Sequence, residues 1–261
     1  MTPTTAKIIF FDIDDTLYVK EQDRIPDSVS VAFSALKAKG IHIAIATGRG
    51  VCLFPPALDT LITAFDINNI VAINGQYNLI NGNIKDFAIS PHDVCLATDC
   101  LRQQGISMGY MSKSHIICFD DNAYIRQALG SLHSDYLIEN YDDFDKDTSI
   151  YQILGFAGTH MTPNLPPNFK SVRWHPNAFD VLTGHVSKVQ GIRLVLKELG
   201  LKFGDAMAFG DGLNDVEMIR SVGFGVAMGN AHPNLKAVAD FICPRHDDDG
   251  IFKGLQMLEV I

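Results

Sequence analysis

Asp12-Ile13-Asp14 sets two carboxylates two positions apart, directly after the apolar run Ile8 to Phe11. In an extended segment alternate side chains point the same way, so Asp12 and Asp14 can face one site while Ile13 packs behind them. Two carboxylates at one site repel unless a cation is shared or one is protonated. The pair suits a metal-held nucleophile beside a general acid/base. A solvated acidic turn would use the same residues. A second cluster, Gly210-Asp211-Gly212-Leu213-Asn214-Asp215, follows the apolar Ala206 to Phe209. Two aspartates four apart among small residues make a hard-oxygen site of the kind magnesium prefers, with water and a substrate phosphate completing the shell. A helix cap at Asp215 is the plainer alternative.

Two further clusters carry the opposite character. Thr47-Gly48-Arg49 follows Ile43 to Ala46 and offers a hydroxyl, a backbone free to approach closely and a guanidinium. Together these could bind phosphate oxygens, although a helix cap reads the same way. Ser187-Lys188 opens a helix that ends near Gly200. Ser187 can cap it, which puts the Lys188 ammonium at the positive end of the helix dipole, a place better explained by a bound anion than by stability. A surface lysine is the alternative there.

The elements that must position these residues follow from periodicity. Short apolar runs at Lys7 to Ile13, Ile41 to Ala46, Ile70 to Ile73, Asp205 to Phe209 and Gly223 to Ala227 alternate with helix-like stretches, which predicts a parallel sheet with helices on both faces. Between the first two runs, Asp27 or Ser28 can cap a helix ending at Gly40, with Val29, Phe33 and Leu36 on one face. Asp215 to Val222 makes another short helix. All four clusters then sit where strands or helices end, which is where open α/β sheets place ligands.

The middle of the chain breaks this pattern. Asn81-Gly82 predicts a hairpin turn between Tyr77 to Ile80 and Ile84 to Ala88. Helices are expected at Pro91 to Gln104 and Ala123 to His133, and strands near Tyr151 to Phe156, Ser171 to Trp174 and Ala178 to Leu182. The stretch from Asp12 to Thr47 holds one helix and one strand, whereas that from Thr47 to Lys188 is far longer than one crossover requires. A second α/β domain is therefore expected at residues 85–185, inserted into a core formed by residues 1–84 and 186–261.

Composition bounds the partners. The chain has 261 residues, of which 47% are hydrophobic and 20% charged, the balance of a folded protein that needs no bilayer. A net charge of -9 argues against nonspecific nucleic-acid binding, which requires a basic face, and means that a phosphate ligand would need local positive charge. The five cysteines are odd in number and include no C-x-x-C, so free thiols in a reducing cytoplasm are expected. The run Ile8 to Phe11 is too short for a signal-peptide core. His115, His133, His160 and His175 lack ligand spacing, and Asp120-Asp121, Asp142-Asp143 and Asp247 to Asp249 read as helix entries or solvated acidic loops.

Taken as an ordered set, D-x-D-x-T-L from Asp12, T-G-R from Thr47, the late Lys188 and G-D-x-x-N-D from Gly210 resemble the haloacid dehalogenase (HAD) superfamily, and more narrowly its Cof-type phosphatases. Asn74-Gly75, Gly225 to Ala231 and Asp249-Gly250-Ile251 extend the resemblance over nearly the whole chain. It implies a HAD-type Rossmann-like core with an inserted α/β cap of the C2 type, which would exclude water from the site and open and close about hinges near Asn83 to Lys85 and Thr183 to His185. It further implies that Asp12 is the nucleophile and Asp14 the general acid/base, with Mg2+ held by the Asp12 carboxylate, the Asp14 main-chain carbonyl and Asp211. Asp215 would support that site or orient Lys188. Thr47, Gly48, Arg49 and Lys188 would bind the transferring phosphoryl group, with Asn214 nearby. Two positions depart from the family pattern: Asp15 and Val189 stand where glycine is common, and neither removes a ligand.

The activity so implied is hydrolysis of small phosphate monoesters, such as a sugar phosphate or a phosphorylated cofactor, through an aspartyl-phosphate on Asp12. A phosphomutase or phosphotransferase would carry the same first site, and a noncatalytic sensor of phosphorylated metabolites would keep the fold. The expected partner is a small phosphorylated metabolite, with no nucleic acid and no membrane, the protein being a monomer or small homo-oligomer.

Overall fold

A computed structural model describes residues 3–132, 135–184 and 186–261. His133 and His185, the one at the expected end of a helix and the other at an expected hinge, lie outside the described residues. The chain opens with β1 (Ile8–Phe11), α1 (Asp27–Ala38), β2 (His42–Ala46), α2 (Pro56–Phe65), β3 (Asn69–Ala72), β4 (Tyr77–Ile80) and β5 (Asn83–Asp86). It continues through α3 (Pro91–Gln103), β6 (Ser107–Met111), β7 (Ile116–Cys118), α4 (Ala123–Gly130), β8 (Leu137–Ile138), β9 (Gln152–Phe156), β10 (Phe169–His175) and β11 (Ala178–Thr183). The last part holds α5 (Lys188–Glu198), β12 (Ala206–Gly210), α6 (Val216–Ser221), β13 (Phe224–Ala227), α7 (Pro233–Lys236), β14 (Phe241–Ile242) and α8 (Gly250–Met257).

The residues divide into two compact units. The first runs to Arg49, resumes over Phe54–Lys85 and again over Ser187–Ile261; the second comprises Gly50–Leu53 and Asp86–Val186. The first unit is built on an eight-stranded sheet of order β14-β13-β12-β1-β2-β3-β4-β5. Strands β14 to β3 in that order run parallel, and β4 returns antiparallel to β3. A parallel sheet covered on both faces has no solvated side, which is why β1 reads as an uninterrupted Ile-Ile-Phe-Phe and is wholly buried. The Phe11 ring packs on Phe33 of α1 at 5.1 Å and on Phe209 of β12 at 5.2 Å. Val29, Phe33 and Leu36 form the buried face of α1, as their spacing predicts.

Small boundary differences have local causes. Pro26, not Asp27 or Ser28, holds the N-cap position of α1, and the Ser28 hydroxyl donates instead to Asp249 Oδ1 at 2.7 Å. The hairpin turn at Asn81-Gly82 has both residues left-handed, at φ 49° and 80°, and this tight two-residue turn starts β5 at Asn83, one residue before the expected Ile84.

The second unit carries a six-stranded sheet of order β10-β11-β9-β6-β7-β8, antiparallel except between β7 and β8. Its strands β6 and β7 carry no clean alternation of apolar and polar residues and are not predicted from the sequence pattern. One core lies under α3, where Ala97 and Leu101 meet Tyr110, Ile153, Phe179 and Val181. Asn122, not the preceding Asp120-Asp121, caps α4, accepting from the amides of Tyr124 and Ile125. Among the described residues, no helix is long and apolar enough to cross a membrane.

One buried carboxyl breaks the apolar pattern of this second sheet. Asp180 lies in β11 between Leu154 of β9 and Val172 of β10, and burial pushes it up to about 7, against the opposing pull of Gln152 and Trp174. A carboxyl raised above its unfolded value of 3.8 binds more protons folded than unfolded. Stability is then lost as pH climbs from about 4 to about 7 and is flat above. Asp180→Asn, which keeps the shape without the charge, should therefore be more stable than the wild type at pH 8 by on the order of a few kcal/mol, with the difference fading by pH 4. Denaturant titrations at pH 4, 6 and 8 measure this; a difference that does not change with pH would refute it.

Candidate active site

The central strand β1 is flanked by β12 on one side and β2 on the other, and the chain leaves in opposite directions across the sheet from this point. Such a switch point opens a crevice at the carboxyl ends of the strands. Asp12 follows β1, Thr47 follows β2 and Asp211 follows β12, so three of the four sequence clusters arrive there because parallel register aligns Phe11 with Phe209 and with Ile45. The Asp12 amide donates to the Phe209 carbonyl at 3.1 Å and the Thr47 amide to that of Val71 at 2.7 Å, which continues the ladder to the site's edge.

Lys188 brings the fourth cluster in. Its ammonium donates to Asp12 Oδ1 and to Asp215 Oδ1, each at 2.6 Å, and the side chain is 1% exposed. A buried charge persists only when paired and hydrogen-bonded, and here both partners are buried carboxylates. Ser187 occupies the N-cap position of α5, but its side chain makes no capping hydrogen bond; the first turn is positioned by packing instead. Gly75, left-handed at φ 94°, is part of that packing: a Cβ there would lie 2.6 Å from the Ser187 carbonyl oxygen. The glycine lets the turn after β3 come into contact with the start of α5.

Asp215 is fully buried and its other oxygen accepts from the amides of Asp211 and Gly212, at 3.1 and 3.0 Å. It packs so tightly on Gly210 that a Cβ there would stand 2.7 Å from its carboxyl carbon. Asp211 accepts from the Thr16 hydroxyl at 3.1 Å, a link from the Asp12 loop to the β12 loop that no sequence motif announces. Asn214 and Asn74 both border Gly48, with Asn214 Nδ2 at 3.4 Å and Asn74 Oδ1 at 3.3 Å from where a Cβ would be. Asn74 is buried and left-handed at φ 52°. Its place directly after an apolar strand was the available signal.

Arg49 and Asp14 meet in a different way from the clusters around them. The guanidinium donates through Nε to Asp14 Oδ2 at 2.7 Å and through Nη2 to Oδ1 at 2.6 Å. Asp15, at φ 54°, sits in the left-handed region, which explains why glycine is common there and why aspartate is tolerated. Its carboxylate faces Lys20 at 2.8 Å, and the Asn230 side chain holds its carbonyl at 2.8 Å and accepts from the His246 amide at 3.0 Å. Val189 is buried in the first turn of α5.

Charge in the centre is unbalanced. Burial pushes the Asp12 carboxyl up to about 7, opposed by Lys188 and reinforced by Asp215 and Asp14. Burial likewise pushes Asp211 to about 9, with Asp12, Asp215 and Asp15 adding to the rise. Burial alone would lower Lys188, but Asp12 and Asp215 outweigh it and the net direction is up. Carboxyl oxygens of Asp12, Asp211 and Asp215 lie within 4.8 Å of one another. An all-oxygen, charge-deficient set of this kind fits a hard metal ion.

Comparison with known proteins gives the family. The family model of haloacid dehalogenase-like hydrolases matches residues 9–255. "Putative phosphatase YkrA" of Bacillus subtilis (strain 168) is 34% identical, over 98% of this chain and 99% of its own. Among solved structures, a hypothetical protein from Geobacillus kaustophilus HTA426 is 35% identical with a TM-score of 0.84, covering 98% of this chain and 100% of that one. A HAD subclass IIB sugar phosphatase is 29% identical with a TM-score of 0.87 over the same shares. A match that begins in the strand leading to Asp12 and ends in α8, with relatives aligned over nearly their full length, means that this chain belongs to the haloacid dehalogenase-like hydrolase family.

Proposed function

We propose that this HAD-family phosphatase hydrolyses small phosphate monoesters, such as a sugar phosphate or a phosphorylated cofactor, through an aspartyl-phosphate on Asp12. The observation that carries this reading is the environment of Asp12: a carboxylate withdrawn from water and held through one oxygen by Lys188, beside the buried Asp215 and the half-buried Asp211. A carboxylate fixed in this way can attack phosphorus in line, and Lys188 neutralises charge on the phosphoryl oxygens as it passes. Thr47, Gly48 and Asn214 border the place where those oxygens would sit. Asp14 gives a proton to the leaving oxygen and takes one from the water that later cleaves the acyl phosphate. Asp215, bound to Lys188 and two backbone amides, orients that lysine.

Asp12, Asp211 and the Asp14 main-chain carbonyl would hold Mg2+, with Asp215 behind them. Bound there, the ion would neutralise charge that builds on the transferring group. The sugar phosphatase among the structural relatives favours a sugar phosphate as the first class to try. The free thiols at Cys52, Cys95, Cys100, Cys118 and Cys243 support a reducing cytoplasmic setting.

Phosphate release from a panel of sugar phosphates, nucleotides and cofactor phosphates, with Mg2+ and with chelator, tests the reading. Asp12→Asn should fold normally and lose at least about 1,000-fold in turnover, or roughly 4 kcal/mol of transition-state stabilisation; substantial retained turnover would remove Asp12 as the nucleophile. An isomeric product with little free phosphate would point to a mutase. Ligand binding without turnover would point to a sensor.

The raised carboxyls give a second expectation. A cation binds their ionised forms, so binding must expel protons wherever Asp12 and Asp211 are still protonated. Mg2+ affinity should rise as pH climbs through about 7 toward about 9, with proton release at pH 7 that disappears above the upper value. Calorimetry in two buffers of different ionisation enthalpy reads both quantities; affinity that is level across this range would contradict it.

A further inference from the structure

The sequence pattern places Arg49 among the phosphate-binding groups, yet in the structure its fork engages a carboxylate. Nε and Nη2 engage the two oxygens of Asp14 separately, at 2.7 and 2.6 Å, in the parallel bidentate geometry that a guanidinium can make and an ammonium cannot. The Arg49 side chain is 5% exposed, so the contact is no loose surface pair. Its backbone is fixed at both ends: the amide donates to Thr47 Oγ1 at 3.0 Å, and the carbonyl accepts from the Ile73 amide at 2.9 Å. The guanidinium also lies over the Tyr18 ring, 5.7 Å from its centroid. Tyr18 is itself held by a hydrogen bond from its hydroxyl to Asp23 and by its amide bond to the Ile13 carbonyl at 2.8 Å. Asp14 and Tyr18 are bridged across the same turn. Asp14 and Tyr18, which both meet the guanidinium, belong to the loop carrying Asp12.

We propose that Arg49 acts through Asp14 and not on the phosphate: its fork is a positioning device that fixes the Asp14 carboxyl for proton exchange with the leaving oxygen and then with water. This rests on the reading of Asp14 as the acid/base given above. In the first half, the Asp12 oxygen bonds to phosphorus, the ester P–O bond breaks with its electron pair on the leaving oxygen, and that oxygen takes the Asp14 proton. In the second, water oxygen bonds to phosphorus, the Asp12–phosphorus bond breaks, and Asp14 takes the proton from water. Negative charge develops on Asp14 as its proton leaves, and the guanidinium forked onto its two oxygens is in place to stabilise that charge. Lysine at this position would keep the charge and lose the alignment.

The test uses the full chain with Mg2+ and two substrates: the best alkyl phosphate of the panel above, whose leaving group needs a proton, and p-nitrophenyl phosphate, whose leaving group does not. Arg49→Lys should lower kcat for the alkyl ester by about 100-fold, with KM changed far less. With p-nitrophenyl phosphate it should give a burst of one equivalent of p-nitrophenolate at nearly the wild-type rate, followed by slow turnover, because only the second half then needs Asp14. Added guanidinium should restore part of the activity of Arg49→Ala. In an Asp14→Asn background, Arg49→Lys should cost almost nothing more, since the two act as one unit. If Asp14→Asn itself leaves alkyl-ester turnover intact, the acid/base reading falls, and this inference with it. If Asp14→Asn is impaired but Arg49→Lys raises KM equally for both esters, and its loss adds in full to that of Asp14→Asn, Arg49 is a phosphate ligand and the inference alone is overturned.

Discussion

One buried ammonium sits between two buried carboxylates, and the surrounding structure is arranged to keep it there. Moving Lys188, Asp12 and Asp215 out of water costs several kcal/mol per ion, and their attraction repays this only if geometry is close and leftover lone pairs are met. Lys188 reaches both partners at 2.6 Å, and the second oxygen of Asp215 takes two backbone amides. Each of those contacts constrains the chain elsewhere. The amides come from the turn after β12, which must run beside β1 in register so that Asp12 and Asp211 leave adjacent strand ends. The ammonium comes from the first residue of α5, which can stand at that distance because the turn at Gly75 carries no side chain. The sheet order, two glycines and a helix start are in this sense consequences of one ion cluster.

That cluster is also short of positive charge. One lysine cannot neutralise Asp12, Asp211 and Asp215 together, and the result is visible in Asp12 and Asp211, both pushed far above the ordinary carboxylate range. The Thr16 hydroxyl is a weak opposition to burial and three neighbouring carboxylates at Asp211. A net charge of -9 makes the deficit worse for any phosphate ester approaching the site. A divalent cation resolves both problems at once, since it lowers the carboxyls and faces the phosphoryl oxygens. The Arg49 charge stands nearby, paired with Asp14.

Much of this was legible because backbone periodicity determined it. Asp12, Thr47 and Asp211 each follow a short apolar run, and in a parallel sheet such runs are buried strands whose ends converge. The α/β core and the inserted second sheet follow from the same pattern and from the length of chain between Thr47 and Lys188. Other features depend on contacts that no local pattern encodes. Thr16 reaches Asp211 across 195 positions of sequence. Ser187 has the residue type of a cap and occupies the cap position, yet the hydrogen bond is not made. Asp180 resembles any polar residue alternating on a strand until the neighbours on both sides, Leu154 and Val172, are known. Strands β6 and β7, with Gly109 and Ser107 in the first and only three residues in the second, offer too little alternation to be recognised.

Arg49 marks the boundary between these two kinds of information. Its backbone position was predictable, since it ends a tripeptide that follows β2, but a long side chain can reach any of several acceptors from one backbone position. Phosphate and carboxylate are both planar-fork targets for guanidinium, so residue type cannot separate them. In the structure the guanidinium meets the turn at Asp14 to Tyr18, lying over the ring of one and forked onto the carboxylate of the other. The same limit applies to substrate choice. The residues assigned to chemistry all lie in the first unit, at positions fixed by strand ends and one helix start. Selectivity among phosphate esters has no such anchor in backbone pattern, and a family that keeps its phosphoryl-transfer residues at strand ends can vary its substrates without disturbing them.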